Sequence, residues 1–483
     1  MFKFFLYQLY LLQLDNYEVR RYMSVSTRKS GLRPGSMRKP LHWTAKLKVI
    51  FTASLILEAA AIVLAALLLR PLIGSHPLLA GLLALAAIVI LIFGYCLFLS
   101  LAVLITWPID YFLKRRVLRS ASAKLRRLPN LKIIAIAGSY GKTTMKAAVA
   151  ATLGGKYNVL ATPDSINTPV GIARLILDKA GDGTDFLIAE MGEYYPGDIR
   201  ELAEFLRPNY GIITGVTEAH LERFGNITST INTIFELADY SPPQMPLLLN
   251  ADDPHVEAHY AEHAGQHPLA WYGSANDRLT RYDSRNVTFD ANRPGLSFQL
   301  VSGGTTPLSF NTAFLGRYIL GIAVAALEVG AQFGINEEEA SAAITRLQPV
   351  AHRLQPIAGD AGVLVIDDSY NGNPVGVEEA IKVLGNFAGR RKIYVTPGLV
   401  EAGAQARALH ENIGRSLAGT ADMVLLIRNS VTPHIYNGLI RAGFKPEQVK
   451  WFDSALQAHA ALPDLLKKGD VVLFQNDWPD NYL

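Results

Sequence analysis

The 483-residue sequence contains one cysteine, Cys96, which excludes both a disulfide framework and a zinc site built on cysteine. Lysine is absent between Lys179 and Lys382. Charged residues make up only 18% of the chain against 50% apolar ones, a balance that excludes a mostly disordered protein. Acidic side chains are nearly missing from the front: residues 1–130 carry 4 of them against 18 basic ones, and the remainder is net acidic. Because the basic residues flank apolar runs and the rest is acidic, nucleic acid is excluded as a partner. The length fits two or three domains.

Long apolar runs are confined to the front. Residues 49–69 contain one charge, Glu58, and residues 78–106 contain none. About 20 apolar residues span a hydrocarbon core, so a two-helix transmembrane hairpin is expected over residues 47–107. Its turn would fall at residues 70–77, which hold Pro71, Gly74 and Pro77. Basic residues cluster before the first run, from Arg20 to Lys48, and after the second, from Lys114 to Arg127, with only Arg70 between. That asymmetry predicts a two-pass membrane protein with both ends in the cytoplasm. Residues 1–46 read as a basic cytoplasmic tail, its first 36 residues unstructured beyond a short apolar start, and residues 108–130 as a basic juxtamembrane linker. The linker serves either as a stop-transfer flank or as a site for anionic headgroups. Glu58 in mid-span is either a helix contact, a functional position or a protonated acid.

From residue 131 the pattern becomes α/β. Lys132–Ala137 (KIIAIA) reads as a buried strand, followed by Gly138, Ser139, Tyr140, Gly141, Lys142, Thr143 and Thr144 and then by helix-forming residues. Strand, glycine loop, Gly-Lys-Thr and helix make a phosphate cradle. Backbone N–H groups and the helix start hold phosphate, Lys142 neutralises it, and Thr143 can ligate Mg²⁺. The spacing is tighter than the usual phosphate loop, with Ala135 where the first glycine would stand. A second apolar strand, 186–189, ends at Glu190, whose carboxylate is placed for Mg²⁺ or its water shell. A third, 211–216, runs into Glu218 and His220, and a fourth, 247–250, into Asp252 and Asp253.

Eight elements occur in order along the chain: GSYGKTT (138–144), TPDSINTPVG (162–171), EMG (190–192), HLERFG (220–225), NADDP (250–254), HRL (352–354), DDSYNGNP (367–374), and TPG (396–398) with His410, Glu411 and Gly414. This ordered set resembles the Mur ligase family over roughly residues 130–483. Within it the pattern is most similar to members that add D-alanyl-D-alanine to a muramyl tripeptide. The resemblance implies a P-loop central domain over 131–352 and a Rossmann-like C-terminal domain over 353–483, with a hinge near 349–359. It implies ATP and Mg²⁺ as cofactors, and an acyl-phosphate route to an amide. Lys142, Glu190 and His220 would be catalytic, and Thr143, Glu190 and His220 would hold metal. Arg353, Asp368 and Asn371 would reach the nucleotide from the C-terminal domain, and Asn167 and Thr168 would lie near the acceptor. Other cell-wall synthesis enzymes are expected partners.

Three departures qualify that expectation. Where the family usually has a carbamylated lysine for a second Mg²⁺, this chain has Ile234: either Glu236, Glu222 or water completes the site, or catalysis is weakened. Where the family has a His-Asn pair and an adenine-reading asparagine, it has Tyr318, Ile319, Gly321 and Ile322. Where the family has a domain gripping the UDP-muramyl moiety, it has the apolar runs. The expected function is a membrane-anchored, ATP-dependent ligase of a cell-wall peptide. The alternatives are a Mur-like ligase or amidating subunit acting on lipid-linked muropeptide, and a nucleotide-binding scaffold without catalysis.

Overall fold

The computed structural model describes residues 2–27, 37, 40–163, 166–218, 221–274, 279–303, 306–370 and 372–478. They fall into two compact units, one ending at Arg116 and one spanning Val117–Trp478.

The first unit is helical: α1 (Phe2–Leu14), α2 (Val19–Ser26), α3 (Ala45–Ser75), α4 (Pro77–Phe93) and α5 (Tyr95–Leu125), whose last turns belong to the second unit. Two of these, α3 and α5, are long and apolar enough to cross a membrane. The expected hairpin turn is corrected: α3 runs through Pro71 to Ser75, and His76 alone separates it from α4. The second apolar run is likewise not one helix but is broken at Gly94 into α4 and α5. The front segment is also more ordered than its composition predicts. Helices α1 and α2 bury Leu9, Leu11, Leu12 and Tyr22 in one cluster with Leu47 and Ile50 of α3 and Leu99 of α5. The Tyr22 hydroxyl donates to Gln8 Oε1 at 2.9 Å inside it. Helix α1 is apolar on nearly all sides, so it shows no amphipathic period by which to recognise it. The supposed linker 108–130 is mostly the end of α5, with Leu118 and Ala121 in the core of the second unit.

That unit opens with β1 (Lys132–Ala137), α6 (Lys142–Gly154), β2 (Val159–Ala161), α7 (Pro169–Lys179), β3 (Phe186–Glu190), α8 (Asp198–Leu206) and β4 (Tyr210–Ile213). It continues with α9 (Leu221–Phe224), α10 (Ile227–Asp239), β5 (Leu247–Asn250), α11 (Pro254–His263) and β6 (Leu269–Tyr272). The six strands pair in parallel in the order β2-β3-β1-β4-β5-β6. Strands β1 and β3 are buried on both faces, as a parallel sheet covered by helices requires. One face packs on α7, α8, α10 and α11; the other packs on α6 and on a layer drawn from residues 282–347. In that layer a three-stranded antiparallel sheet of β7 (Asp283–Asp290), β8 (Gly295–Val301) and β9 (Leu308–Thr312) precedes α12 (Tyr318–Gln332) and α13 (Glu337–Arg346). The chain order reverses between β1 and β4, which opens a crevice at their C-terminal ends.

The C-terminal domain runs β10 (Gln355–Ala358), β11 (Leu364–Asp368), α14 (Pro374–Gly385), β12 (Lys392–Thr396), α15 (Ala406–Ala418), β13 (Met423–Ile427), α16 (Thr432–Arg441), β14 (Val449–Phe452), α17 (Ala455–Leu465) and β15 (Val471–Gln475). Its sheet order is β10-β11-β15-β12-β13-β14, parallel except for β10. The two domains share an apolar joint. Leu315 of the central domain is buried in the C-terminal core, and Phe289 meets Phe387 edge-on at 5.0 Å between ring centres.

Helices α15 and α16 pass unusually close. A Cβ on Gly438 would lie 2.1 Å from the Glu411 carbonyl oxygen, and one on Gly414 would lie 2.1 Å from that of Ile435. Gly438→Ala must push the helices apart and is expected to destabilise the chain by about 1–3 kcal/mol. Urea denaturation of the full-length protein reads this as a lower midpoint; an unchanged midpoint would show that the pair yields without cost.

Candidate active site

The phosphate loop connects β1 to α6 and is laced to the segment leaving β4. Ser139 N–H donates to the Gly215 carbonyl at 2.8 Å, and the Thr214 hydroxyl donates to the Tyr140 and Ala137 carbonyls. Gly138 has φ of 144°, and a Cβ there would sit 2.1 Å from Thr214 Oγ1, so no other residue fits. The third strand stops at Ile213 rather than at 216: Thr214 N–H still donates to the Ala137 carbonyl at the end of β1, but the Gly215 carbonyl accepts from the loop and Val216 N–H turns to Asp253. Asp253 completes the stitch. Its carboxylate accepts the Tyr140 hydroxyl and the Val216 N–H, both at 2.8 Å, while capping α11 through the N–H groups of His255 and Val256. The NADDP element thus has a structural task. Burial and Asp253 together push the Tyr140 phenol far above its usual range, so it stays protonated and donating.

Two lysines on α6 and two glutamates leaving β3 interlock in the cradle. Lys142 Nζ donates to the Gly138 carbonyl, and also to both carboxylate oxygens of Glu193, each at 2.9 Å. One turn on, Lys146 Nζ donates to Glu190 Oε2 at 2.9 Å, and Thr143 Oγ1 donates to the same oxygen at 3.1 Å. The side chains of Lys146, Glu190 and Glu193 are at most 6% exposed. Lys146 and Glu193 were not singled out from the sequence. The signals were available: Lys146 is four residues after Lys142 on the same helical face, and Glu193 directly follows EMG.

Across the crevice stand residues of the C-terminal domain. A cleft of about 140 Å³ is lined by the phosphate loop, Asn167, Glu190, Glu193, Glu218, Arg353, Tyr370 and Glu401. Arg353 stacks its guanidinium 4.7 Å from the Tyr370 ring centre and donates to the Tyr370 carbonyl at 3.0 Å. Glu401 is 3% exposed and pairs with Arg223 of the central domain at 2.7 Å, latching the domains together. Of the expected acceptor residues, Asn167 is buried beside this cleft. Thr168 instead caps α7 by accepting the Gly171 N–H, and it is not among the lining residues. His220 and Asn371 lie outside the described residues.

A second, adjoining cleft of about 340 Å³ is lined by Tyr140, Asn250, Tyr272, Tyr318, Gly321, Ile322, Arg353 and Asp368, among others. Of the stretch that departs from expectation, Tyr318, Gly321 and Ile322 line this cleft, whereas Ile319 is buried in the core. Asp368, at the end of β11, accepts from Leu354 N–H and from Gln475 Nε2, both at 3.1 Å. Burial nonetheless pushes its carboxyl up to about 6. In the TPG element, His410 Nε2 accepts the Leu399 N–H at 2.9 Å while Nδ1 faces the Ala406 carbonyl, and burial lowers its pKa. That histidine is a neutral buttress for the loop holding Glu401.

Ile234 is fully buried in the core beneath the central sheet, with Ile231, Phe235 and Leu237. Glu236 does not replace the missing lysine: its carboxylate accepts the N–H groups of Gly197 and Arg200 at 2.8 and 2.9 Å, capping α8. Thr143 and Glu190 supply hard oxygen donors beside the cradle, a donor set that suits Mg²⁺.

These environments set two expected outcomes. Ile234→Lys buries an ammonium in an apolar core and is expected to cost at least about 2 kcal/mol of stability without raising turnover. Thermal melts and ADP release check this, and a rise in turnover would show that position 234 reaches the cradle. Because Asp368 holds its proton more tightly folded than unfolded, its contribution to stability is fully present below about pH 4 and is lost as pH rises towards 6. Asp368→Asn should remove that decline, seen by comparing urea midpoints at about pH 4.5 and 6.5; an unchanged slope would assign it to other groups.

Residues 136–330 match the Mur ligase middle domain, and residues 352–475 match the Mur ligase, glutamate ligase domain. The UDP-N-acetylmuramoyl-tripeptide–D-alanyl-D-alanine ligase of Mycobacterium leprae is 30% identical over 381 residues, covering 71% of each chain. That of Mycobacterium tuberculosis is 34% identical over 310 residues; the match spans 62% of this chain but only 58% of the relative. Among solved structures, MurF of Acinetobacter baumannii aligns with a TM-score of 0.67 at 21% identity, covering 76% of this chain and 78% of that one. MurF ligase of Thermotoga maritima in complex with ADP aligns at 0.66 and 23% identity, covering 75% and 80%. These two share the fold. With both domains matched in order and the cradle, the strand-end carboxylate and the two-domain cleft in place, the chain belongs to the Mur ligase family.

Proposed function

We propose that this chain is an ATP-dependent, ADP-forming amide ligase of peptidoglycan precursor synthesis, adding D-alanyl-D-alanine to a muramyl tripeptide. The observation that carries the reading is the phosphate cradle with Lys142 and Glu190 facing Arg353 across one cleft. The names of the relatives supply the substrates. In the first step a substrate carboxylate oxygen attacks the γ-phosphorus, and the bond from phosphorus to the ADP oxygen breaks. Lys142 and the loop amides hold the phosphates in line and offset their charge. In the second step the amine attacks the acyl carbon, phosphate leaves, and the nitrogen loses a proton. Thr143, Glu190 and His220 are the residues that would hold Mg²⁺, which supplies charge neutralisation at the phosphates. Arg353 and Asp368 approach the nucleotide from the second domain, so the site is complete only when the domains are closed.

The long apolar helices α3 and α5 support a membrane-anchored form of this activity, with the catalytic domains on the cytoplasmic side. An anchored catalyst and a lipid-linked acceptor share a thin layer, which raises their effective concentration. The test is ADP release by detergent-purified full-length protein with Mg-ATP and D-alanyl-D-alanine, offering UDP-linked or lipid-linked muramyl tripeptide. Release that needs both amine and acceptor is expected, and the preferred acceptor reports what the apolar helices serve. Nucleotide binding without release on either acceptor would reject this ligase reading and favour a scaffold.

A further inference from the structure

Aromatic and basic side chains collar α5 where its apolar stretch ends. Lys46, in the first turn of α3, pairs with Asp110 of α5 at 2.7 Å, so the start of α3 and the end of that stretch lie level. At this level Trp107, Tyr111 and Arg115 recur every four residues on α5 and form a column. The Trp107 and Tyr111 rings stack with 5.6 Å between their centres. The Arg115 guanidinium lies 5.3 Å from the Tyr111 ring centre, and its Nε donates to the Tyr111 hydroxyl at 3.1 Å. On a neighbouring face Ile105, Ile109 and Phe112 are exposed, and Arg116 continues their row. Among the described residues no carboxylate pairs with Arg115 or Arg116.

Trp107 is 60% and Phe112 71% exposed, a placement that suits the boundary between hydrocarbon and headgroups. Arginine presents a planar fork that matches phosphate. With Nε of Arg115 committed to Tyr111, its two terminal nitrogens remain for two oxygens of one phosphate. The stack also restricts the Arg115 side chain in advance, so less freedom is lost on binding. We propose that the Trp107–Tyr111–Arg115 column binds the phosphate headgroup of an anionic bilayer lipid, with Ile109 and Phe112 against its acyl chains. The site rests on the membrane-anchored form proposed above and not on the ligase chemistry. Because Asp110 is held by Lys46, the column keeps its positive charge, which favours an anionic headgroup over a zwitterionic one.

The test titrates the detergent-purified full-length chain with phosphatidylglycerol or phosphatidylcholine and follows the first bound lipid by native mass spectrometry. Wild type should bind phosphatidylglycerol the more tightly. Arg115→Gln should weaken phosphatidylglycerol about fivefold, as loss of one basic group at a membrane surface predicts, and leave phosphatidylcholine unchanged. Tyr111→Leu keeps every charge but frees Arg115, and should weaken phosphatidylglycerol at least about twofold. Both positions are exposed, and a thermal melt verifies folding; if Y111L is unfolded, R115Q decides alone. Equal binding of the two lipids to wild type, or a folded variant that matches wild type, overturns the site and leaves the anchor standing. A wild-type dimer that excludes lipid would assign the column to a second copy of the chain and equally overturn it. Wild type that alkaline carbonate strips from phosphatidylglycerol vesicles would bring down anchor and site together.

Discussion

The stitching of the phosphate loop to the exit of β4 is the constraint on which the rest of the site depends. Serine, threonine, glycine and tyrosine from two loops exchange hydrogen bonds there, and Asp253 ties the assembly to α11. Because both loops leave adjacent strands of one parallel sheet, sheet register fixes their separation. Lys142 and Thr143 therefore begin a helix whose start is held in place, and Glu190 arrives from the strand on the other side of β1. Position in the sheet thus converts three separated sequence elements into one cradle.

The cradle is also electrically matched. Two ammonium groups four residues apart on α6 meet two buried carboxylates, one at the end of β3 and one three residues beyond. Buried charges are tolerable only in such pairs, since either partner alone would be strongly destabilising. The pairing makes the site selective in a simple sense, for an incoming anion must carry its own compensation.

Much of this was legible in the sequence because the chemistry lies in contiguous motifs. KIIAIA, the glycine loop and Glu190 were readable because a buried strand, a tight turn and a strand-end carboxylate each leave a local signature. The C-terminal α/β alternation was readable from periodicity. What escaped depended on contacts between distant residues. Asp253 reads as one acid in an acidic loop until Tyr140 is found 113 residues away bonded to it. The Arg223–Glu401 pair joins two domains, and no local pattern announces it. Helix α1 escaped because an apolar segment too short to span a membrane has no diagnostic period. Thr168 carries a capping signature as clear as any family motif, and in the structure its hydroxyl serves the cap.

Contacts between the catalytic domains differ in kind. On one side Leu315 and Phe289 press into the C-terminal core, and on the other Arg223 and Glu401 form an ion pair. Apolar contact is non-directional and survives rotation of one surface on another, whereas an ion pair is lost within a few ångströms. A rotation of one domain on the other would therefore break the Arg223–Glu401 pair before it undid the apolar contact.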